Sequence, residues 1–206
     1  MPDGIIFDID GTMWDSRESI GKAWNRVLTE YGEEPFLTPD ILKSEFGKTL
    51  DEIAADLLPE TDPGKVKEIC EKWTQVEPDA VRAEKPFIYE GLEETLDVLS
   101  RNTKLYIVSN AMSGYIECFL EVTGFGQYFS DHLCNGDTGK PKGENIDRIV
   151  RKNSMFNPVY VGDTQGDRDA ASFAVVRFAW ASYGFGEVTG CDYRLERPAD
   201  LLKYFA

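Results

Sequence analysis

Ile5-Ile6-Phe7-Asp8-Ile9-Asp10-Gly11-Thr12 is an apolar run that leads directly into two carboxylates at alternate positions, after which Gly-Thr breaks it. A short continuous apolar stretch bounded by turn residues reads as a buried parallel strand. Side chains alternate along a strand, so Asp8 and Asp10 would share a face if the strand simply continued. Gly11 predicts a turn instead, leaving both acids at the strand's carboxyl end, the edge where open α/β sheets bind ligands. Two acids at the mouth of an apolar strand need a cation, a shared proton or a substrate to offset their burial. A solvated Asp-rich turn is the plainer reading of this stretch alone.

At 206 residues the chain suffices for one substantial core, or a core with a smaller attached body. Asp and Glu number 37 against 22 Lys and Arg, a net charge of −15. Such a surface repels phosphate backbones, which argues against a nucleic-acid partner, and any phosphate site must carry its own local positive charge. Cys70, Cys118, Cys134 and Cys191 lie far apart, and with His132 the single histidine a zinc site is not expected. The amino terminus lacks the pattern of a signal peptide, and no apolar stretch approaches the ~20 residues of a membrane span. A soluble cytoplasmic protein without a membrane partner is the expectation; monomer and homodimer stay open.

Beyond the first strand, Asp15-Ser16-Arg17-Glu18 has the form of a capping box before a helix carrying Ile20, Ala23, Trp24, Val27, Leu28 and Tyr31. Thr38-Pro39 opens a second helix, Leu50 to Leu57 marks a third, and Asp62-Pro63 starts a fourth with Val66, Ile69, Trp73 and Val76 on one face. From Pro86 the pattern alternates. Strands are expected at Lys104–Val108, Pro158–Val161 and Val175–Trp180, with a further one at Asp192–Leu195. Helices are expected at 92–99, 113–122, 144–152 and near 167–174, and a loop is expected to hold Asp131, His132, Asn135, Gly136 and Asp137. The expected fold is α/β, a three-layer Rossmann-like parallel sheet formed by residues 1–14 and 86–206. An inserted cap of about four helices would span 15–85, with hinges at Met13–Ser16 and Glu84–Tyr89.

Three expected strands end in polar residues: Asp8 and Asp10, Ser109 and Asn110, and Asp163 with Asp167 shortly after. Lys140 and Lys142 precede a helix in the same half. Carboxylates, a hydroxyl and an ammonium gathered at one sheet edge are what metal-assisted phosphoryl transfer needs.

With Asp8-Ile9-Asp10-Gly11-Thr12, Ser109-Asn110, the two lysines and Gly162-Asp163-Thr164-Gln165-Gly166-Asp167 in order, the chain resembles the haloacid dehalogenase superfamily. It is most similar to the branch of phosphoglycolate phosphatases and beta-phosphoglucomutases. Tyr89-Glu90-Gly91-Leu92 resembles that branch's Tyr-Pro-Gly-Val, with Glu90 in place of proline.

The resemblance implies a phosphatase for a small phosphorylated metabolite that works through an aspartyl-phosphate on Asp8. Asp10 would be the acid and then the base. Mg²⁺ would be held by Asp8, the Asp10 backbone carbonyl and Asp163; Asp167 is either a metal-site residue or a helix cap. Ser109 and the Asn110 backbone would bind phosphate together with a lysine. Lys140-Pro141 fits one form of the lysine motif and Lys142-Gly143-Glu144-Asn145-Ile146 another; Lys142, nearer the helix start, is favoured. Lys48 would meet a second anion of the substrate or else be an ordinary surface lysine, and Trp14 would pack the hinge.

Asp10 argues against dehalogenation, which needs no acid for an alkoxide. Met13–Ser19 lacks the histidine of the beta-phosphoglucomutases, which ranks a mutase below a phosphatase; a retired binding scaffold ranks lower still. Phosphoglycolate, sugar phosphates and nucleotides remain alternatives for the substrate.

Overall fold

The computed structural model describes residues 1–206. Its centre is β1 (Gly4–Phe7), four residues with no exposed position. After it come β2 (Trp14–Asp15), α1 (Arg17–Glu30), α2 (Pro39–Glu45), α3 (Leu50–Leu57), α4 (Pro63–Glu84) and β3 (Phe87–Ile88). The chain continues through α5 (Leu92–Ser100), β4 (Lys104–Ser109), α6 (Tyr115–Thr123), β5 (Phe129–Cys134), α7 (Asn135–Thr138) and α8 (Lys142–Lys152). It closes with β6 (Val159–Gly162), α9 (Gln165–Phe173), β7 (Arg177–Ala181), β8 (Tyr193–Leu195) and α10 (Leu201–Phe205).

Six strands form one parallel sheet in the order β5-β4-β1-β6-β7-β8. Alternation along the strands divides the core in two. Ile5, Phe7, Leu105, Ile107, Val159 and Val161 enter a cluster of 33 buried residues on one face. Ile6, Tyr106, Val108 and Tyr160 enter a cluster of 11 on the other, beneath Ile146 and Ile149 of α8 and Ala171 of α9. These central strands are apolar on both sides because helices cover both faces. The chain runs from β1 toward β4 and β5, then returns across β1 to β6, so the strand order reverses there and opens a crevice at the carboxyl ends.

Helices α1 to α4 stand between β2 and β3, which pair antiparallel through Trp14–Ile88 and Asp15–Phe87. This small ladder ties together the two chain crossings expected at the hinges. Trp24 and Trp73 stack at 4.3 Å in the middle of the helical body. The larger cluster runs from that pair to the sheet without a break, and Trp14, fully buried, packs edge-on against Phe119 at 4.9 Å.

Several local expectations are corrected. The segment expected as a loop around Asp131–Asp137 contains β5 and α7. Phe-Ser-Asp-His-Leu-Cys has too many polar side chains to read as a buried strand, and β5 is a half-buried edge. The capping box at Asp15–Glu18 does not form: Ser16 is the N-cap of α1 without a side-chain cap bond, because its Oγ donates to Asp10 Oδ1 instead. α8 begins at Lys142 rather than Glu144, and the strand expected from Val175 begins at Arg177, since Val175 sits in a turn with φ 57°.

Candidate active site

Asp8 follows the last residue of β1, and its backbone N–H still donates to Val161 of β6. The side chain is 2% exposed. Lys142, at the first turn of α8, places Nζ 3.0 Å from Asp8 Oδ1 and 2.6 Å from Asp167 Oδ1, with all three side chains buried. Burial raises the Asp8 pKa to about 7 despite the opposing Lys142 charge. For Lys142 burial works the other way, yet the Asp167 and Asp8 charges hold its pKa above the usual lysine value.

Asp10 lies just past the strand, held by different chemistry. Its Oδ1 accepts from Trp14 Nε1 at 2.9 Å, Ser16 Oγ at 2.5 Å and Tyr115 Oη at 2.9 Å. Three donors on one oxygen leave Oδ2 to carry a proton. Burial raises this carboxyl to about 6, with the Ser16, Tyr115 and Trp14 donors holding it down. One carboxylate is thus paired with an ammonium, and its neighbour is held by neutral donors near the pH of proton exchange.

Asp163 closes β6. Its Oδ2 accepts from the Phe185 N–H at 2.7 Å, and burial, followed by the nearby Asp167 and Asp8 charges, pushes its pKa well up. Gly11 must be glycine: its φ is +80°, and a Cβ there would lie 2.1 Å from Asp163 Oδ2. Asp167 stands at the third position of α9 in a capping box with Thr164. Its Oδ2 accepts from the Asp163 and Thr164 N–H groups and from Thr164 Oγ1. Its Oδ1 takes Lys142 and, at 3.3 Å, Tyr160 Oη. Although burial opposes it, Lys142 and the Thr164 donors hold its pKa below the usual carboxylate value.

Carboxylate oxygens of Asp8, Asp163 and Asp167 lie within 4.8 Å of one another, all three residues buried. Three carboxylates share one ammonium in this pocket. An oxygen-rich, negatively charged cluster of this kind fits a hard divalent cation. Asp8 Oδ2 accepts no protein donor and each Asp163 oxygen accepts one, at 3.5 Å from Thr12 Oγ1 and 2.7 Å from the Phe185 N–H, whereas the Asp167 oxygens accept five.

A small cavity of about 70 Å³ lies between this edge and α1, α3 and α4. Asp8 and Asp10 form its floor with Ser109 and Asn110, and Trp24, Phe46, Ile53 and Glu77 face it from the helical body. Ser109 Oγ accepts from the Ala111 N–H at 3.3 Å, capping the strand end. Asn110 Nδ2 donates to the Gly47 carbonyl at 2.8 Å, bridging to the helical body. Lys48 lines the cavity, but its Nζ is 2.9 Å from Glu45 and 2.6 Å from Asp56.

A family model described as haloacid dehalogenase-like hydrolase matches residues 5–181, a span from β1 to the end of β7. The chain belongs to the haloacid dehalogenase-like hydrolases. It is 28% identical to a phosphoglycolate phosphatase of Aquifex aeolicus, over 97% of this chain and 94% of that protein. It is 26% identical to the pyrophosphatase PpaX of Oceanobacillus iheyensis, over 96% and 94% respectively. A haloacid dehalogenase-like hydrolase of Streptococcus pneumoniae superposes with a TM-score of 0.88 at 20% identity, covering 100% of this chain and 99% of that one.

In this hydrolase, Asp8, Asp10, Ser109, Asn110, Lys142, Asp163 and Asp167 converge on one sheet edge. Lys140 does not join them: its Nζ lies 3.5 Å from Glu144 on the surface, and it is Lys142 that reaches Asp8. Trp14, expected only to pack, also donates to Asp10. Ser16, Tyr115 and Glu77 were not anticipated. Ser16 lies close enough in sequence to Asp10 to have been found, but Tyr115 and Glu77 arrive on helices that only the tertiary fold brings there.

Proposed function

We propose that this hydrolase is a Mg²⁺-dependent phosphomonoesterase that passes the phosphoryl group through Asp8. The observation that carries the reading is the unequal provision for two neighbouring carboxyls: Asp8 beside the buried Lys142, and Asp10 with three donors on one oxygen and the other free. Asp8 attacks phosphorus, the ester P–O bond breaks, and the proton on Asp10 Oδ2 passes to the leaving oxygen. Asp10, now anionic, removes a proton from water; that water attacks the aspartyl-phosphate and releases orthophosphate, restoring Asp8.

Lys142 neutralises charge at the attacking carboxylate, and Ser109 with the Asn110 backbone N–H orients the phosphate oxygens. Asp8, Asp163 and the Asp10 carbonyl would hold Mg²⁺, which when bound neutralises phosphate charge and keeps Asp8 ionised. In this reading Asp167 fixes Lys142 and α9 rather than touching the metal, because its oxygens already accept five donors. Residues 15–85 act as a cap over the core formed by 1–14 and 86–206, keeping bulk water out while the ester is cleaved.

p-Nitrophenyl phosphate hydrolysis tests the proposal. Asp8→Asn should lose at least about a thousandfold in kcat with its fold intact. EDTA should abolish wild-type turnover and added Mg²⁺ restore it. Equal activity of wild type and Asp8→Asn would overturn the assignment.

A further inference from the structure

The helical wall of the cavity carries one polar group that the proposed chemistry does not use. Glu77 lies on the buried stripe of α4 with Ile69, Trp73 and Val81, a carboxyl where the helical pattern calls for an apolar residue. It is 8% exposed. Its Oε1 accepts from Trp24 Nε1 at 3.0 Å. Oε2 has no protein partner and is not sealed in the core, so it opens on the cavity that the residue lines. Burial pushes the carboxyl up to about 8 although the Trp24 N–H favours the anion, and the Asp10 charge adds to the rise. At neutral pH Glu77 therefore holds a proton. Trp24 Nε1 can only donate and needs an acceptor, so the proton sits on Oε2, which faces the cavity as a neutral donor.

The other side-chain donors around it are committed. Lys48 is held by Glu45 and Asp56, Tyr115 Oη donates to Asp10, and Asn110 Nδ2 donates to the Gly47 carbonyl. The titratable groups that share the cavity with Glu77 are Asp8 and Asp10 from the sheet edge, Tyr115 from α6 and Lys48 from the turn before α3. α1 and α3 face it only with Ile20, Trp24, Leu50 and Ile53. Cys70 on α4 and Cys118 on α6 are thiols that burial pushes up, so both stay uncharged. Since the Asp10 charge bears on Glu77, the donor overlooks the side on which Asp10 protonates the leaving oxygen. A buried O–H without an acceptor is costly, and a ligand that brings an acceptor relieves it.

We infer that Glu77 is a specificity-determining residue whose Oε2–H donates to an oxygen acceptor on the leaving alcohol, selecting an ether, carbonyl or hydroxyl there over a purely hydrocarbon chain. The inference rests on the phosphatase reading and adds the polarity of the leaving group at that same site. The donor is lost as pH rises through about 8, when the carboxyl ionises and the same wall turns against acceptors.

Methoxyethyl phosphate and n-butyl phosphate have leaving chains of equal length, and only the first holds an acceptor, with no donor of its own. With Mg²⁺ at about pH 6.5 the wild type should favour the ether by about tenfold in kcat/KM. By about pH 9 the ratio should fall toward unity as Glu77 ionises. Glu77→Gln keeps a neutral donor, because its Oε1 must still accept from Trp24 Nε1 and the amide N–H then faces the cavity. Its ratio should match the wild type at the lower pH and stay flat. Glu77→Leu should lose the preference at both. Ionisation of Asp10 and of the phosphate acts on both esters alike, and each ratio is measured within one preparation, so neither these ionisations nor a partly folded variant moves it. A wild-type ratio at or below unity at the lower pH, a ratio unmoved by Glu77→Leu, or a Glu77→Gln ratio that falls with pH as the wild type's does overturns the inference and leaves the phosphatase reading intact. So does turnover of p-nitrophenyl phosphate with neither alkyl ester cleaved. Inactivity on all three overturns both.

Discussion

At the scale of single residues, the site separates two carboxyls two positions apart by giving them different partners. The donors on Asp10 Oδ1 stabilise its anion, so removing one must raise its pKa above about 6. Tyr115→Phe should therefore shift the alkaline limb of the kcat–pH profile upward by roughly 1–2 units, the worth of one hydrogen bond to a charged group. The limb moves up because, in the proposed mechanism, Asp10 can serve as the acid only while it holds its proton. A profile measured at saturating Mg²⁺ and substrate checks this; an unmoved or lowered limb would falsify the role of Asp10. Lys142→Ala is a harsher change, leaving Asp8 and Asp167 buried without their ammonium. It should cost about 3–5 kcal/mol of stability, read from denaturant unfolding. At this scale the sequence was informative wherever chemistry sits at a strand end, because Asp8, Ser109 and Asp163 each follow an apolar run. It was silent on Tyr115, whose partner Asp10 is 105 residues away.

Among the elements, α4 carries the sharpest conflict between local rule and tertiary use. Its buried positions recur every four residues from Ile69, and the third is Glu77. Burial raises that carboxyl from 4.5 to about 8. A carboxyl whose folded pKa lies above its unfolded one is protonated in the native state, and it contributes fully only below the unfolded value. As pH rises from about 4.5 to about 8, the unfolded chain ionises and the native protein loses stability relative to it. Glu77→Gln removes that dependence. Its melting temperature relative to wild type should rise progressively across the interval, by a few kcal/mol equivalent at most, with little further change above pH 8. A constant difference across the interval would show that Glu77 ionises freely. Helices and central strands were readable from the sequence because their apolar periods, near 3.6 and continuous respectively, match what covers them. β5 was not, because an edge strand exposed along one side keeps polar residues that look like a loop.

For the whole molecule, contacts between the helical body and the sheet enclose the cavity. Near the site these are Asn110 Nδ2 to the Gly47 carbonyl, the edge-on pair Phe46–Phe185 at 6.2 Å, and the Arg17 guanidinium 4.3 Å above the Phe185 ring. Phe185 also supplies the N–H that holds Asp163, so one residue ties α1 to the carboxylate cluster. None of this was visible in the sequence, since Gly184-Phe185 lies outside every motif and meets Arg17 only through the fold. Phe185→Leu retains the backbone N–H and most of the apolar bulk but removes the ring face beneath Arg17. A cation–π contact at such a site is worth about 0.5–1 kcal/mol, so the closed arrangement should lose two- to fivefold in population. KM should rise by a similar factor, while kcat at saturation changes less because substrate binding favours closure. Amide exchange at Phe46–Lys48 should quicken by the same factor, with β1 and β6 unaffected. Exchange that quickens throughout the sheet would mark a general loss of stability, and unchanged exchange at Phe46–Lys48 would show that the ring does not hold the helical body against the sheet.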